Sequence, residues 1–185
     1  MINRSNSFRA TIKKFWFDFL LFFFFFFKKN FFYFILDPSN PSVFLTHTWV
    51  KDEENRDNHG RVGIVNKLLQ EQGYRTWFDE DKMVGHIDQQ MARGIDESDI
   101  MLVFITKVYM EKVASTGQDN CKAEFTYATT RKKRMISIIM EPCMKDSGEW
   151  TGPVGLRLAG DLYVDMSETD SENDIRTLVK HLKSI

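Results

Sequence analysis

The chain has 185 residues, 43% hydrophobic and 28% charged, the balance of an ordinary globular protein of about one domain. Its formal charge of −1 conceals a split: residues 1–36 carry +5, from Arg4, Arg9, Lys13, Lys14, Lys28 and Lys29 against Asp18, and the remainder carries −6. That acidic remainder argues against broad binding to a nucleic-acid backbone, and two cysteines, Cys121 and Cys143, rule out a disulfide framework or a four-cysteine zinc site.

Residues 1–36 differ in composition from the rest of the chain. Thirteen of the 17 phenylalanines fall between Phe8 and Phe34, six of them as the run 22–27. The stretch 15–36 is long enough to span a bilayer, so a membrane anchor is one reading. Asp18 and the Lys28-Lys29-Asn30 interruption oppose it, because each charge near the centre of a span costs ~2.5–3.5 kcal/mol. A signal peptide is a second reading, but the segment lacks a small-residue cleavage site at its end. Phe runs broken by Lys-Lys-Asn are also what translated AT-rich noncoding DNA gives, so an artefact of the gene model is a third. The segment is set aside from the fold, and contact with a membrane is expected only if it is genuine. Residues 37–41, with two prolines and Asp, Ser and Asn, read as a linker.

From residue 42 strands and helices alternate. Val43-Phe44-Leu45 is a candidate first strand. Residues 51–59 form a polar insertion whose acids, Asp52, Glu53, Glu54 and Asp57, read as a solvated cluster. Val62, Val65, Leu68 and Leu69 recur at helical spacing over residues 60–72, with Gly73 where a C-terminal cap belongs. Residues 74–78 are rich in strand formers, residues 79–86 are a charged loop, and Ile87, Met91 and Ile95 mark a second helix. Residues 100–105 are six unbroken apolar residues, the pattern of a strand covered on both faces. Helical pieces at 107–113 and 120–131, strands at 135–140 and 162–164, and a last helix through Ile175, Leu178, Val179 and Leu182 complete the chain. The basic run 131–134 favours the C-terminus of the helix before it. Repeated strand–helix units imply a parallel sheet with helices on both faces. A ligand site is expected beyond the carboxyl ends of the strands, along residues 46–49, 79–86 and 106–109.

The usual nucleotide and nucleophile signatures are missing. The chain has no glycine-rich dinucleotide or P-loop motif and no nucleophile elbow. His47, His59, His86 and His181 lack the spacing of metal ligands, so no metal is expected.

Four segments in order carry a resemblance. VFLTHT at 43–48 resembles the first-strand box of Toll/interleukin-1 receptor (TIR) domains. WFDEDKMVG at 77–85 is similar to their second strand running into the BB loop. Gly94-Ile95, Ser98, MLVFIT at 101–106 and Tyr109 resemble a third box, and NCKAEF at 120–125 resembles the start of their third-helix region. The resemblance covers residues 42–184 and implies a flavodoxin-like three-layer α/β fold with a five-stranded parallel sheet.

It also implies chemistry. In TIR domains that cleave NAD+, a glutamate at the place of Glu124 is catalytic. Breaking the ribosyl–nicotinamide bond builds an oxocarbenium-like cation, which a carboxylate against the sugar stabilises. Nicotinamide leaves as a neutral base and needs no general acid. The alternative for Glu124 is a solvated helix face. The resemblance implies substrate contacts from His47, Thr48, Trp49, Asp81, Lys82 and Asn120, and a BB loop comprising Asp79, Glu80, Met83 and Gly85. Asn120 stands where many relatives carry Trp, and His47 and Thr48-Trp49 replace a more usual Tyr-Arg type of pair. Cys121 is a nominal nucleophile, read rather as a buried thiol. NAD+ enters as substrate rather than cofactor, and other TIR domains, including further copies of this chain, are the expected partners. The expected function is cytoplasmic signalling through NAD+ cleavage, as a stress or cell-death signal. The alternative is a non-catalytic module acting by homotypic assembly. A remoter reading is a nucleoside deoxyribosyltransferase-like enzyme.

Overall fold

In a computed structural model of the chain, residues 40–78, 87–168 and 172–184 are described. All of them belong to the unit Leu36–Ile185. The Phe-rich segment, most of the linker and the loop 79–86 lie outside the described residues.

The strands are β1 (Val43–Thr46), β2 (Thr76–Trp77), β3 (Ile100–Ile105), β4 (Arg134–Ile139) and β5 (Tyr163–Asp165). They pair in parallel in the order β2-β1-β3-β4-β5. This is the expected flavodoxin-like order, which reverses direction beside β1. The helices are α1 (Asn58–Glu71), α2 (Ile87–Glu97), α3 (Lys107–Ala114), α4 (Asn120–Thr130), α5 (Gly152–Leu158) and α6 (Glu172–Lys183).

Strand periodicity divides the core into two layers. Val43, Leu45, Ile100, Leu102 and Phe104 point to the side closed by Val62, Val65 and Leu69 of α1 and by Ile175, Leu178 and Leu182 of α6. Phe44, Met101, Val103 and Ile105 point to the other, against Ile95 of α2, Tyr109 and Val113 of α3, and Phe125 of α4. Residues 100–105 are unbroken apolar because both of their faces are covered, as their burial confirms. No helix among the described residues is long and apolar enough to cross a membrane.

Three details depart from the sequence expectations. The second strand was expected over 74–78 and spans only two residues. Tyr74 is used instead to end α1: Gly73 has φ +84°, its N–H donates to Gln70, and Tyr74 N donates to Leu69. These paired bonds close a Schellman motif, with Tyr74 and Leu69 meeting in the core. Helix α5 falls in a stretch, between the strands expected at 135–140 and 162–164, to which no element was assigned.

The third is in the acidic insertion: Glu53, Glu54 and Asp57 are exposed as expected, but Asp52 is not. Asp52 is buried, 2.6 Å from Arg56 and 3.3 Å from Arg61. Both arginines also donate to the Met140 carbonyl, and Arg61 donates to Met166. Asp57 caps α1 by accepting from Gly60 N, and Glu53 pairs with Lys107 at 2.6 Å. The loop is thereby tied to the chain leaving β4 and β5.

Candidate functional site

The sheet's order reverses between β1 and β3, which opens a crevice beyond their carboxyl ends. A cavity of about 450 Å³ lies there, lined by His47 and Trp49 after β1, Lys112 of α3, and Gln118, Asp119, Asn120, Cys121 and Glu124 at the start of α4.

Helix α4 presents Glu124 because of its spacing. Cys121, Glu124, Phe125 and Ala128 form its buried face, and Glu124 is the carboxylate on that face. It is 3% exposed, so the solvated-face alternative does not hold. A buried carboxylate needs hydrogen bonds. The Thr46 hydroxyl, at the last position of β1, donates to Glu124 Oε2 at 2.6 Å. Thr46 Oγ1 also lies 3.1 Å from the hydroxyl of the buried Tyr109.

The helix start is pinned by Asp119, which accepts from Cys121 N at 2.9 Å and meets Lys112 Nζ at 3.1 Å. Burial works to raise the Asp119 carboxyl, but Lys112 and the Cys121 N–H together hold it below its usual value. Cys121 is buried and its thiol donates to the His47 carbonyl at 3.3 Å. Burial, then the charges of Glu124 and Asp119, push that thiol well up, which makes it an inert structural group.

Aromatic rings form one wall. His47 Nε2 lies 2.7 Å from His59 Nδ1. The His59 ring stacks on Trp49 at 4.1 Å between centroids, and both histidines stack on Phe78 at 5.1–5.2 Å. Trp49 remains 55% exposed and lines the cavity.

Of the expected site residues, Glu124, His47, Trp49 and Asn120 come together around this cavity. Thr48 does not line it: Thr48 is buried, and Asn58 Nδ2 donates to its carbonyl and its hydroxyl. Asp79, Glu80, Asp81, Lys82, Met83 and Gly85 lie outside the described residues. Sequence reading put Thr46 and Tyr109 at the edge of the sheet without a role, and it missed His59, Lys112 and Asp119 as parts of the site. Asp119 had a usable signal, an Asp just before a helical run; His59 and Lys112 reach the site through contacts 7 to 12 positions away, to Asp119, Trp49 and His47, across loops that carry no periodic pattern.

The profile of the TIR domain family matches residues 43–179. The TIR domain of the Toll-related receptor TRR-2 from Hydra magnipapillata superposes with a TM-score of 0.53 at 14% identity, covering 77% of this chain and 98% of that one. The TIR domains of the activated Roq1 resistosome, which recognises the pathogen effector XopQ, align with a TM-score of 0.47 at 17% identity, covering 78% of this chain and 99% of that one. No curated protein matches the chain. With the family profile spanning most of its length, this chain belongs to the TIR domain family of signalling proteins.

Proposed function

We propose that this TIR-domain signalling protein cleaves NAD+ to nicotinamide and ADP-ribose, with Glu124 as the carboxylate that faces the ribose. The observation that carries this reading is a glutamate buried at a 450 Å³ cavity and held by a 2.6 Å hydrogen bond from Thr46. As the ribosyl C1′–N bond breaks, its electron pair leaves with neutral nicotinamide. The cation left on the ribose is stabilised by the fixed carboxylate, and water adds at C1′ and gives up a proton. Trp49 offers a ring face for stacking on a flat heterocycle. NAD+ is the substrate, and the reaction belongs in the cytoplasm.

A second reading, a non-catalytic module acting through assembly with other TIR domains, is supported by two features. Asn120 is exposed at the cavity where many relatives carry Trp, and Leu156 and Leu162 are 93% and 82% exposed. Under either reading the partners are other TIR domains and the BB-loop residues Asp79, Glu80, Met83 and Gly85 take part in assembly, while Asp81 and Lys82 serve nucleotide contact under the first reading and self-association under the second.

The test is to incubate concentrated protein with NAD+ and measure nicotinamide. The expected result is release by the parent and loss of at least ~100-fold in Glu124→Gln. Equal release by both forms removes Glu124 from the chemistry. No release by the parent at any concentration leaves the assembly reading standing.

A further inference from the structure

Three buried oxygen groups from three separate elements meet behind the cavity. Thr46 comes from the end of β1, Tyr109 from the first turn of α3 and Glu124 from α4. Each of the three is 3% exposed or less. Thr46 has one hydroxyl proton, and it points to Glu124 Oε2 at 2.6 Å. The 3.1 Å contact between Thr46 Oγ1 and Tyr109 Oη must therefore be donated by the phenol. Tyr109 is in turn fixed at its backbone, where its N–H donates to the α3 cap, Thr106 Oγ1, at 3.0 Å.

We infer that Thr46 and Tyr109 are positioning residues for Glu124: a one-way chain, phenol to threonine hydroxyl to carboxylate, that fixes the rotamer and charge of the glutamate. The inference rests on the reading of Glu124 as the reacting carboxylate. Burial holds the Tyr109 phenol well above its usual range, so it stays a donor throughout the neutral range. Donation from Tyr109 polarises the Thr46 hydroxyl and strengthens its bond to the carboxylate. Both oxygens lead to Glu124, Thr46 directly and Tyr109 through Thr46.

The test uses the full chain and three substitutions. Thr46→Val removes the hydroxyl and keeps the branched shape, Thr46→Ser keeps the hydroxyl, and Tyr109→Phe removes one oxygen. Each form is assayed for nicotinamide release from NAD+. In parallel, side-chain 13C-labelled glutamate is followed by NMR through a pH titration, with Glu124 assigned by its loss in Glu124→Gln. Thr46→Val is expected to lower kcat ~10–100-fold while KM stays within about twofold, the loss of one hydrogen bond to a charged group. The Glu124 titration then moves upward by about one pH unit, since a donor to the charged form has gone. Tyr109→Phe moves both readouts in the same direction by a smaller amount, and Thr46→Ser restores both.

Parental kcat and a parental Glu124 titration in Thr46→Val overturn the inference. So does an equal loss in Thr46→Ser, which indicates packing rather than the hydroxyl. If Thr46→Val fails to fold, Tyr109→Phe and Thr46→Ser carry the same comparison. A parent that releases no nicotinamide defeats the proposed function alone, and the Glu124 titration then decides whether the chain of donors exists.

Discussion

Gly94 of α2 lies directly against the indole of Trp77 in β2: a Cβ at this position would stand 2.8 Å from one ring carbon and 3.0 Å from another, with Phe44 also at 3.0 Å. The helix approaches the sheet this closely because the side chain is missing. Both neighbours are rings packed in the same layer, so neither can swing aside as a flexible chain end would.

Gly94→Ala is therefore expected to destabilise the protein, against the usual sign for a helix interior. Helix propensity favours the change by ~1 kcal/mol, while overpacking of this kind costs ~1–3 kcal/mol. Urea denaturation followed by tryptophan fluorescence measures the balance, and a more stable Gly94→Ala would show that α2 moves away without cost.

Lys132 predicts the opposite sign. It follows α4 with φ +54°, and the bonds Lys132 N to Thr129 and Lys133 N to Ala128 repeat the Schellman pattern seen at Gly73. Left-handed backbone costs a side-chain-bearing residue ~1–2 kcal/mol, which the greater entropy of glycine in the unfolded chain partly offsets. Lys132→Gly is expected to raise stability by ~0.5–1 kcal/mol, read as an upward shift of the denaturation midpoint.

Asp52→Asn tests the buried network beneath the insertion. The substitution takes the carboxylate charge away from Arg61, which is 7% exposed. Removing one member of a buried pair costs ~3–5 kcal/mol, and the partial exposure of Arg56 places this case at the low end, about 3 kcal/mol. A loss below ~0.5 kcal/mol would mean that the pair is solvated in practice, as exposed pairs are.

Asp99 carries a pH dependence. Ser42 N and Oγ donate to its Oδ2 at 2.7 and 2.8 Å. The backbone N–H is the chief cause that holds this carboxyl below its usual value. A carboxyl depressed in the folded state contributes stability above its unfolded value, about pH 4, and loses it as pH falls through the folded value. The parent is thus expected to lose stability more steeply than Asp99→Asn below ~pH 4.5, with parallel curves at neutral pH. Equal acid slopes in guanidinium titrations would remove Asp99 from the acid transition.

What the sequence made legible was set by burial on two faces. Residues 100–105 are a continuous apolar run, and 135–140 is one broken only by the buried Ser137, because parallel strands are covered above and below. Gly73 announced the end of α1 because the left-handed position strongly favours glycine. The site was legible only through its boxes. Sequence left Glu124 open between a catalytic role and a solvated face, and only the structure puts it with Cys121 on the inner face of α4. The hydrogen bonds to that carboxylate left no trace, since Thr46 and Glu124 are 78 positions apart and Thr46 and Tyr109 are 63 apart. Asp52 was misread for a related reason: its cluster looks solvated until Arg61 and the carbonyls of Met140 and Met166 are brought over it.

The sheet's two outer strands, β2 and β5, span two and three residues. An edge that short offers an incoming chain almost no ladder of free N–H and C=O groups to continue. Strand addition, the route by which sheets fuse into insoluble fibres, therefore has little template among the described residues. Within the described residues, what is left for a second copy to grip is the side chains of helices and loops, a union that point substitutions can tune and dilution can reverse.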